Sequence, residues 1–177
     1  MAKYAVRLIY LTVIILVSFS LTGCCMIFQK GRRSDIERIS NLEDQLAQLK
    51  DTKQLLEERL KQEIADKQVR LEMAERGLVI TFVSEVLFDS GKAKIRTDAY
   101  QPLDKVARVL REEVPEMEIG IEGHTDNQPI KFSGWKSNWE LSSARSISVL
   151  HYLVDEKGIA PERVSAIGHG EFKPIAS

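Results

Sequence analysis

From Ser34 to Glu75 the chain contains neither glycine nor proline, and Leu, Glu, Lys and Gln dominate the stretch. Such residues lose little freedom in a helix, and nothing in the run breaks one. Apolar residues at Ile39, Leu42, Leu46, Leu49, Leu56 and Leu60 step by three and four as heptad a and d sites do, with Lys53 filling one a site. Beyond Leu60 the frame shifts by four through Ile64 to Leu71 and Leu78, the pattern of a stutter. The spacing predicts a coiled-coil stalk over residues 34–76, able to join copies of the chain into a homo-oligomer. One amphipathic helix folded back on a neighbouring domain is the alternative. A straight helix of ~40 residues reaches ~60 Å, a useful spacer.

The segment before the stalk predicts export. Lys3 and Arg7 precede the apolar run Leu8–Phe19, the two leading regions of a secretory signal peptide. Leu21-Thr22-Gly23-Cys24 then resembles the lipobox of bacterial lipoproteins, which implies cleavage after Gly23 and a lipid on Cys24. Residues 1–23 are the expected signal peptide and 24–33 the lipidated N-terminus and linker. Cys25 follows, not the aspartate that holds such proteins at the inner membrane, so the expectation is an outer-membrane lipid anchor with the body facing the periplasm. The alternative is an uncleaved single helix in the inner membrane, since no charge interrupts Leu8–Phe28 and ~20 residues suffice to span. Lys30, Arg32 and Arg33 on the exported side oppose that orientation. Cys24 and Cys25 are the chain's two cysteines and form no C-x-x-C motif.

Past Gly77 the texture changes. Leu78–Val83 is β-branched and apolar, a buried strand. Phe88-Asp89-Ser90-Gly91 is a turn, and Thr97 can cap a helix with Leu103, Val106, Ala107 and Leu110 on one stripe. Met117, Ile119 and Ile121 alternate with Glu118, Gly120 and Glu122 as a half-wet strand. Ser137 with Glu140 forms a capping box for a second helix that ends at Gly158, and Arg163–Gly168 is a third strand. The order β-α-β-α-β predicts an α/β (α+β) two-layer sandwich over residues 77–177, preceded by the long coiled-coil helix.

Chemistry concentrates between the second strand and the second helix. Gly123-His124-Thr125-Asp126 leaves the strand, and Arg145 lies about two turns into the helix. A carboxylate and a guanidinium near a helix N-terminus suit a zwitterion, Asp126 taking an ammonium and Arg145 a carboxylate. The same spacing also fits a structural Asp126–Arg145 salt bridge. His124-x-Asp126 offers two metal ligands without a third, so no metal is expected. His151 and His169 carry no partner pattern. Ser142 and Ser143 lack the Gly-x-Ser-x-Gly elbow of a hydrolase, and no nucleophile set assembles, so the chain is not expected to be an enzyme or to need a cofactor. With 25 basic against 26 acidic residues and a net charge of −1, no nucleic-acid partner is expected.

Phe88-Asp89, Gly123-His124-Thr125-Asp126, Asn138-x-x-Leu141-Ser142-x-x-Arg145 and Gly168-x-Gly170-Glu171-x-x-Pro174 together resemble the OmpA-like C-terminal domain family, over about residues 77–177. That family includes peptidoglycan-associated lipoproteins and the stator subunit MotB, and the long loop Gln128–Lys136 with Pro129, Phe132 and Trp135 is most similar to the MotB-like branch. The resemblance implies non-covalent binding of peptidoglycan, a diaminopimelate stem end being held by Asp126 and Arg145. It implies pocket-shaping roles for Asp89, Thr125, Asn138 and Leu141. With a lipid on Cys24, the implied function is a tether between outer membrane and wall; a MotB-like, inner-membrane wall-binding or stator-type protein is the alternative. Members of the family continue past the Gly-Glu-x-x-Pro-Ile segment into a further helix and strand, whereas this sequence stops at Ser177. Without that strand, an exposed sheet edge and part of an exposed core are expected.

Overall fold

The computed structural model describes Tyr10, Thr12 and residues 34–130 and 134–175. Cys24 with its surrounding signal, and Phe132 of the long loop, lie outside the described residues. The chain divides into two compact units, 1–47 and 48–177. Among the described residues no helix is long and apolar enough to cross a membrane.

Residues 34–59 form helix α1. Its heptad pattern has two fates. In the first unit Ile36, Ile39, Leu42 and Leu46 are all exposed. In the second, Leu56 and Leu60 are fully buried and pack with Val69, Val106 and Val109, joined by Leu55 and Ile64. Gln48 Nε2 donates to the Glu113 carbonyl at 3.0 Å, and Lys105 pairs with the nearly buried Glu63 at 2.6 Å. The C-terminal part of α1 is therefore a core helix of the globular unit. This part follows the folded-back alternative.

Helix does not run on to residue 76. After the short helix α2 (Lys61–Ala65), Lys67 takes φ +57° and reverses the chain, and Val69–Ala74 becomes strand β1. A turn through Gly77, at φ +120°, leads into β2 (Gly77–Phe82). The two strands form an antiparallel hairpin from Val69↔Phe82 to Ala74↔Gly77. The reason is a period-two pattern, Val69, Leu71 and Met73 alternating with Arg70 and Glu72. Leu71 and Leu78 are therefore not the far side of a stutter. They lie on paired strands, with Leu71 opposite Ile80 and Leu78 opposite Met73.

The rest follows the expected order. After the short α3 (Ser84–Leu87), a 3₁₀ turn at Thr97–Ala99 leads into α4 (Tyr100–Glu112), without the side-chain cap expected of Thr97. Strand β3 (Ile119–His124), helix α5 (Asn138–His151) and strand β4 (Val164–Gly170) complete a two-layer α+β arrangement. Ser137 caps α5 by accepting from Glu140 N, while Glu140 reaches back to Lys136 N, one residue earlier than a standard box. A π-helical turn, Tyr152–Glu156, extends α5 to Gly158, whose φ of +68° ends it and turns Ile159 into the core. The core joins Leu87, Phe88, Ile95, Ala99, Leu103, Ala107, Tyr152, Leu153 and Ile159.

Helix α5 packs on β3 and β4 because two glycines let it approach. A Cβ at Gly123 would stand 2.2 Å from the Ser142 carbonyl oxygen, and one at Gly168 would stand 2.2 Å from Ser143 Oγ. The buried Ser142 hydroxyl accepts from Gly170 N at 2.9 Å and donates to the Trp139 carbonyl. Strands β3 and β4 pair in parallel, and β1 and β2 form a separate pair. Leu78, Ile80 and Phe82 of β2 and Ile119 and Ile121 of β3 line a common cleft of about 2070 Å³.

Candidate functional site

The end of β3, the start of α5 and the segment after α3 converge on this cleft. Thr125, Asp126, Asn138, Leu141 and Arg145 all line it, together with Ser84, Glu85 and Phe88. Thr125 extends the β3–β4 ladder, its N–H donating to the Gly170 carbonyl at 3.0 Å. The next residue leaves the sheet. Gln128 N donates to Asp126 Oδ1 at 3.3 Å, a local turn that holds the carboxylate at the loop's start.

Arg145 is the organising group. Its Nε donates to the Lys92 carbonyl at 2.9 Å, Nη1 to Ser84 Oγ at 2.9 Å and Nη2 to the Asp89 carbonyl at 3.2 Å. The guanidinium also lies 5.1 Å from the Phe88 ring centroid. A guanidinium has five N–H donors, and three are thus committed to the protein. Among the described residues the other two have no acceptor. Burial pushes the Arg145 guanidinium down from its ordinary value, opposed by the negative charges of Glu85 and Asp126. Among the described residues no ion pair joins Asp126 to Arg145, so the structural salt bridge that their spacing also fits does not form. Beside them the Thr125 hydroxyl is buried without a hydrogen-bond partner. A partnerless buried hydroxyl carries a desolvation penalty unless a ligand or water meets it.

The remaining predicted site residues act around this centre. Asp89 spends its carboxylate on Lys92 and Arg96, both at 2.9 Å, and offers Arg145 only its carbonyl. The hydrogen bond and charge of Lys92, then those of Arg96, hold the Asp89 carboxyl below its ordinary range. Asn138 is a clamp. Its Nδ2 reaches the Glu171 carboxylate at 2.9 Å and the Gln128 and Asp126 carbonyls at 3.1 and 3.4 Å, tying the loop to the segment after β4. Leu141 is 5% exposed and anchors α5 to the core. Trp135 Nε1 donates to the Gly91 carbonyl at 2.8 Å, pinning the long loop to the Asp89 turn. Trp139 stacks on Phe172 at 5.3 Å, both rings well exposed.

Three contributors escaped the sequence reading. Ser84 Oγ and the Lys92 carbonyl position Arg145 from outside every motif quoted above, and a backbone carbonyl leaves no compositional trace. Glu122 is the third. It receives Arg76 Nη1 on Oε1 at 2.5 Å and faces His124 and His169 with Oε2. Burial alone would raise the Glu122 carboxyl, but the hydrogen bond and charge of Arg76, with the two histidines, hold it below its ordinary value.

Comparison with known proteins identifies relatives of the chain and of its fold. Motility protein B of Bacillus subtilis (strain 168) is 38% identical over 130 residues, 73% of this chain and 49% of that protein. Outer membrane porin F of Pseudomonas aeruginosa is 32% identical over 98 residues, 55% of this chain and 27% of the porin. The chain thus spans about half or less of the length of either relative. Among solved structures, a MotB-like protein from Desulfovibrio vulgaris superposes with a TM-score of 0.67 at 26% identity, covering 75% of this chain and 82% of that one. The cell wall anchor of the T6SS from P. aeruginosa gives a TM-score of 0.60 at 31% identity, covering 69% and 83%. The OmpA family profile matches residues 87–177, about half of the chain. That span holds Asp89, Thr125, Asp126, Asn138, Leu141 and Arg145 alike, and the chain belongs to the OmpA family.

Proposed function

We propose that the domain binds peptidoglycan without cutting it, by gripping the free zwitterionic end of a diaminopimelate stem peptide. Arg145 carries this reading. Its guanidinium is held from behind by Lys92, Ser84 and Asp89, with two N–H donors left for a carboxylate fork. Asp126, in the same cleft, supplies the charge for an ammonium, and the Thr125 hydroxyl supplies a further polar contact. Asp89, Asn138 and Leu141 support the pocket without spending side-chain groups on the ligand. The relatives are an envelope porin, a cell wall anchor and a motility protein, which favours a wall-binding role over catalysis.

With a lipid on Cys24, such a domain tethers the outer membrane to the wall. Self-association through the exposed residues Ile39, Leu42 and Leu46 of α1 would add avidity to a modest single-stem affinity. A second reading, an inner-membrane wall-binding protein, is favoured by the 130-residue similarity to motility protein B, which is longer than the family match. A proton-carrying stator role is disfavoured, because Leu8–Phe28 contains no acidic residue. Mass analysis of the membrane-bound protein separates the two: a lipidated N-terminal Cys24 supports the tether, and an intact Met1 terminus supports the inner-membrane reading.

The pocket is tested by co-sedimentation of the full chain, in detergent, with purified peptidoglycan. Asp126→Asn keeps the turn acceptor but removes the charge. It should weaken binding by at least about tenfold, as loss of a charge-assisted contact does, with an unchanged melting temperature. Unchanged affinity would remove the pocket assignment.

A further inference from the structure

On the strand face turned away from α5, three groups with metal-binding atoms meet. Glu122 and His124 are two apart on β3 and so share that face. His169 joins them through an irregularity in β4. Gly123 pairs with Gly168 but His124 pairs with Gly170, so His169 is an extra residue at the shift. Bulges of this kind re-aim a side chain, and here the His169 ring comes to lie 5.0 Å from that of His124.

Glu122 Oε2 stands 3.6 Å from His124 Nε2 and 3.7 Å from His169 Nε2, and one ligand atom from each residue falls within 4.8 Å of the other two. These separations exceed hydrogen-bond length, so the three groups face one another without bonding. Around one ion with ligand bonds of ~2.0–2.2 Å, a tetrahedral edge measures about 3.4 Å. Two of the three edges are already close to that value. The supporting contacts match too. Lys173 O lies 2.7 Å from His124 Nδ1, and a carbonyl only accepts. Nδ1 therefore carries the proton, and Nε2 presents its lone pair to the cluster. Arg76 holds the other oxygen of Glu122, orienting the carboxylate as outer partners of a metal ligand do. The two histidine side chains are 12% exposed and the carboxylate 26%, which leaves an opening for a water as fourth ligand.

We propose that Glu122, His124 and His169 bind a divalent transition metal, of the zinc and cobalt class, in a three-ligand site at the C-terminal ends of β3 and β4. Two imidazoles and one carboxylate suit such ions over magnesium or calcium, which want oxygen donors. The ion would clamp the two strand ends together. Through Lys173 it would also fix the segment after β4, and through His124 the strand end directly before Thr125 and Asp126. The cluster differs from the His124-x-Asp126 pair of the sequence: Asp126 is not part of it, and the partners of His124 come from Glu122 and β4.

Titrating the chelator-treated full chain with Co²⁺, followed by visible absorption, should show one equivalent with the intense bands of a low-coordinate site, displaced by Zn²⁺. Zn²⁺ should also raise the melting temperature. His169→Ala should reduce affinity by more than about a hundredfold, beyond the loss that outer-partner mutations cause. His169→Gln, which preserves volume and polarity, should do the same if the alanine variant folds poorly. His151→Ala, removing the exposed histidine paired with Asp155 on α5, should change nothing. Absence of cobalt binding would overturn the site. So would binding that survives His169→Gln, or that disappears with His151.

Discussion

Arg145 joins the proposed ligand contact to a structural one, and a motif cannot separate the two. Its position in the pattern suggested a ligand contact, but its three protein hydrogen bonds also fasten the 84–92 segment to α5. Arg145→Ala should therefore weaken peptidoglycan binding and also cost about 1–3 kcal/mol of stability, because it removes three hydrogen bonds, two of them partly buried. Asp126→Asn should affect binding alone. Urea denaturation of both variants beside the wild type checks the split, and equal stabilities would remove the anchoring role of Arg145. Acid sensitivity has a separate residue-scale origin. Hydrogen bonds from Lys157 and then Tyr152 hold the Asp104 carboxyl below its ordinary value of 3.8. A depressed folded value means that this contribution is complete above the unfolded value and is lost as pH falls through the folded one. Below about pH 4 the melting temperature should fall more steeply in wild type than in Asp104→Asn. Parallel curves would show that the network adds nothing.

At the scale of elements, α5 on β3–β4 was the most legible part. Ser137 and Glu140 mark its start, Gly158 its stop, and the alternation around Ile119 and Ile121 its partner strand. Gly123 and Gly168 were visible as motif letters, but their reason, the approach of Ser142 and Ser143 to 2.2 Å from any Cβ, needs three dimensions. Gly168→Ala should destabilise by about 1–3 kcal/mol through forced displacement of the helix, read by denaturant midpoint. A neutral result would mean that α5 shifts freely. Strand β1 was illegible for a physical reason. Val69, Leu71 and Met73 satisfy period two, yet Leu71 and Leu78 also satisfy a seven-residue repeat, and good helix formers surround them. Lys67 decided the matter by adopting a left-handed conformation that lysine rarely signals. The pocket was half legible: the charged pair stood in the sequence, and the carbonyls that aim Arg145 did not.

For the whole molecule, one heptad pattern serves two purposes. Leu56 and Leu60 belong to the core of the second unit, whereas Leu42 and Leu46 are exposed in the first. Leu56→Ala should cost about 2–5 kcal/mol of domain stability. Leu42→Ala should leave domain stability unchanged and lower self-association, followed by sedimentation velocity in matched detergent. The reverse assignment of effects would refute the division. The family match begins at residue 87, yet the folding unit begins at Gln48, so part of its core comes from outside the shared segment. The consequence is mechanical. A pull applied at Gln48 would load the packing of Leu56 and Leu60 on Val69 of β1 and on Val106 and Val109 of α4. Under such a pull the flank would act as a joint whose breaking strength is set by side-chain packing rather than by the slack of a linker.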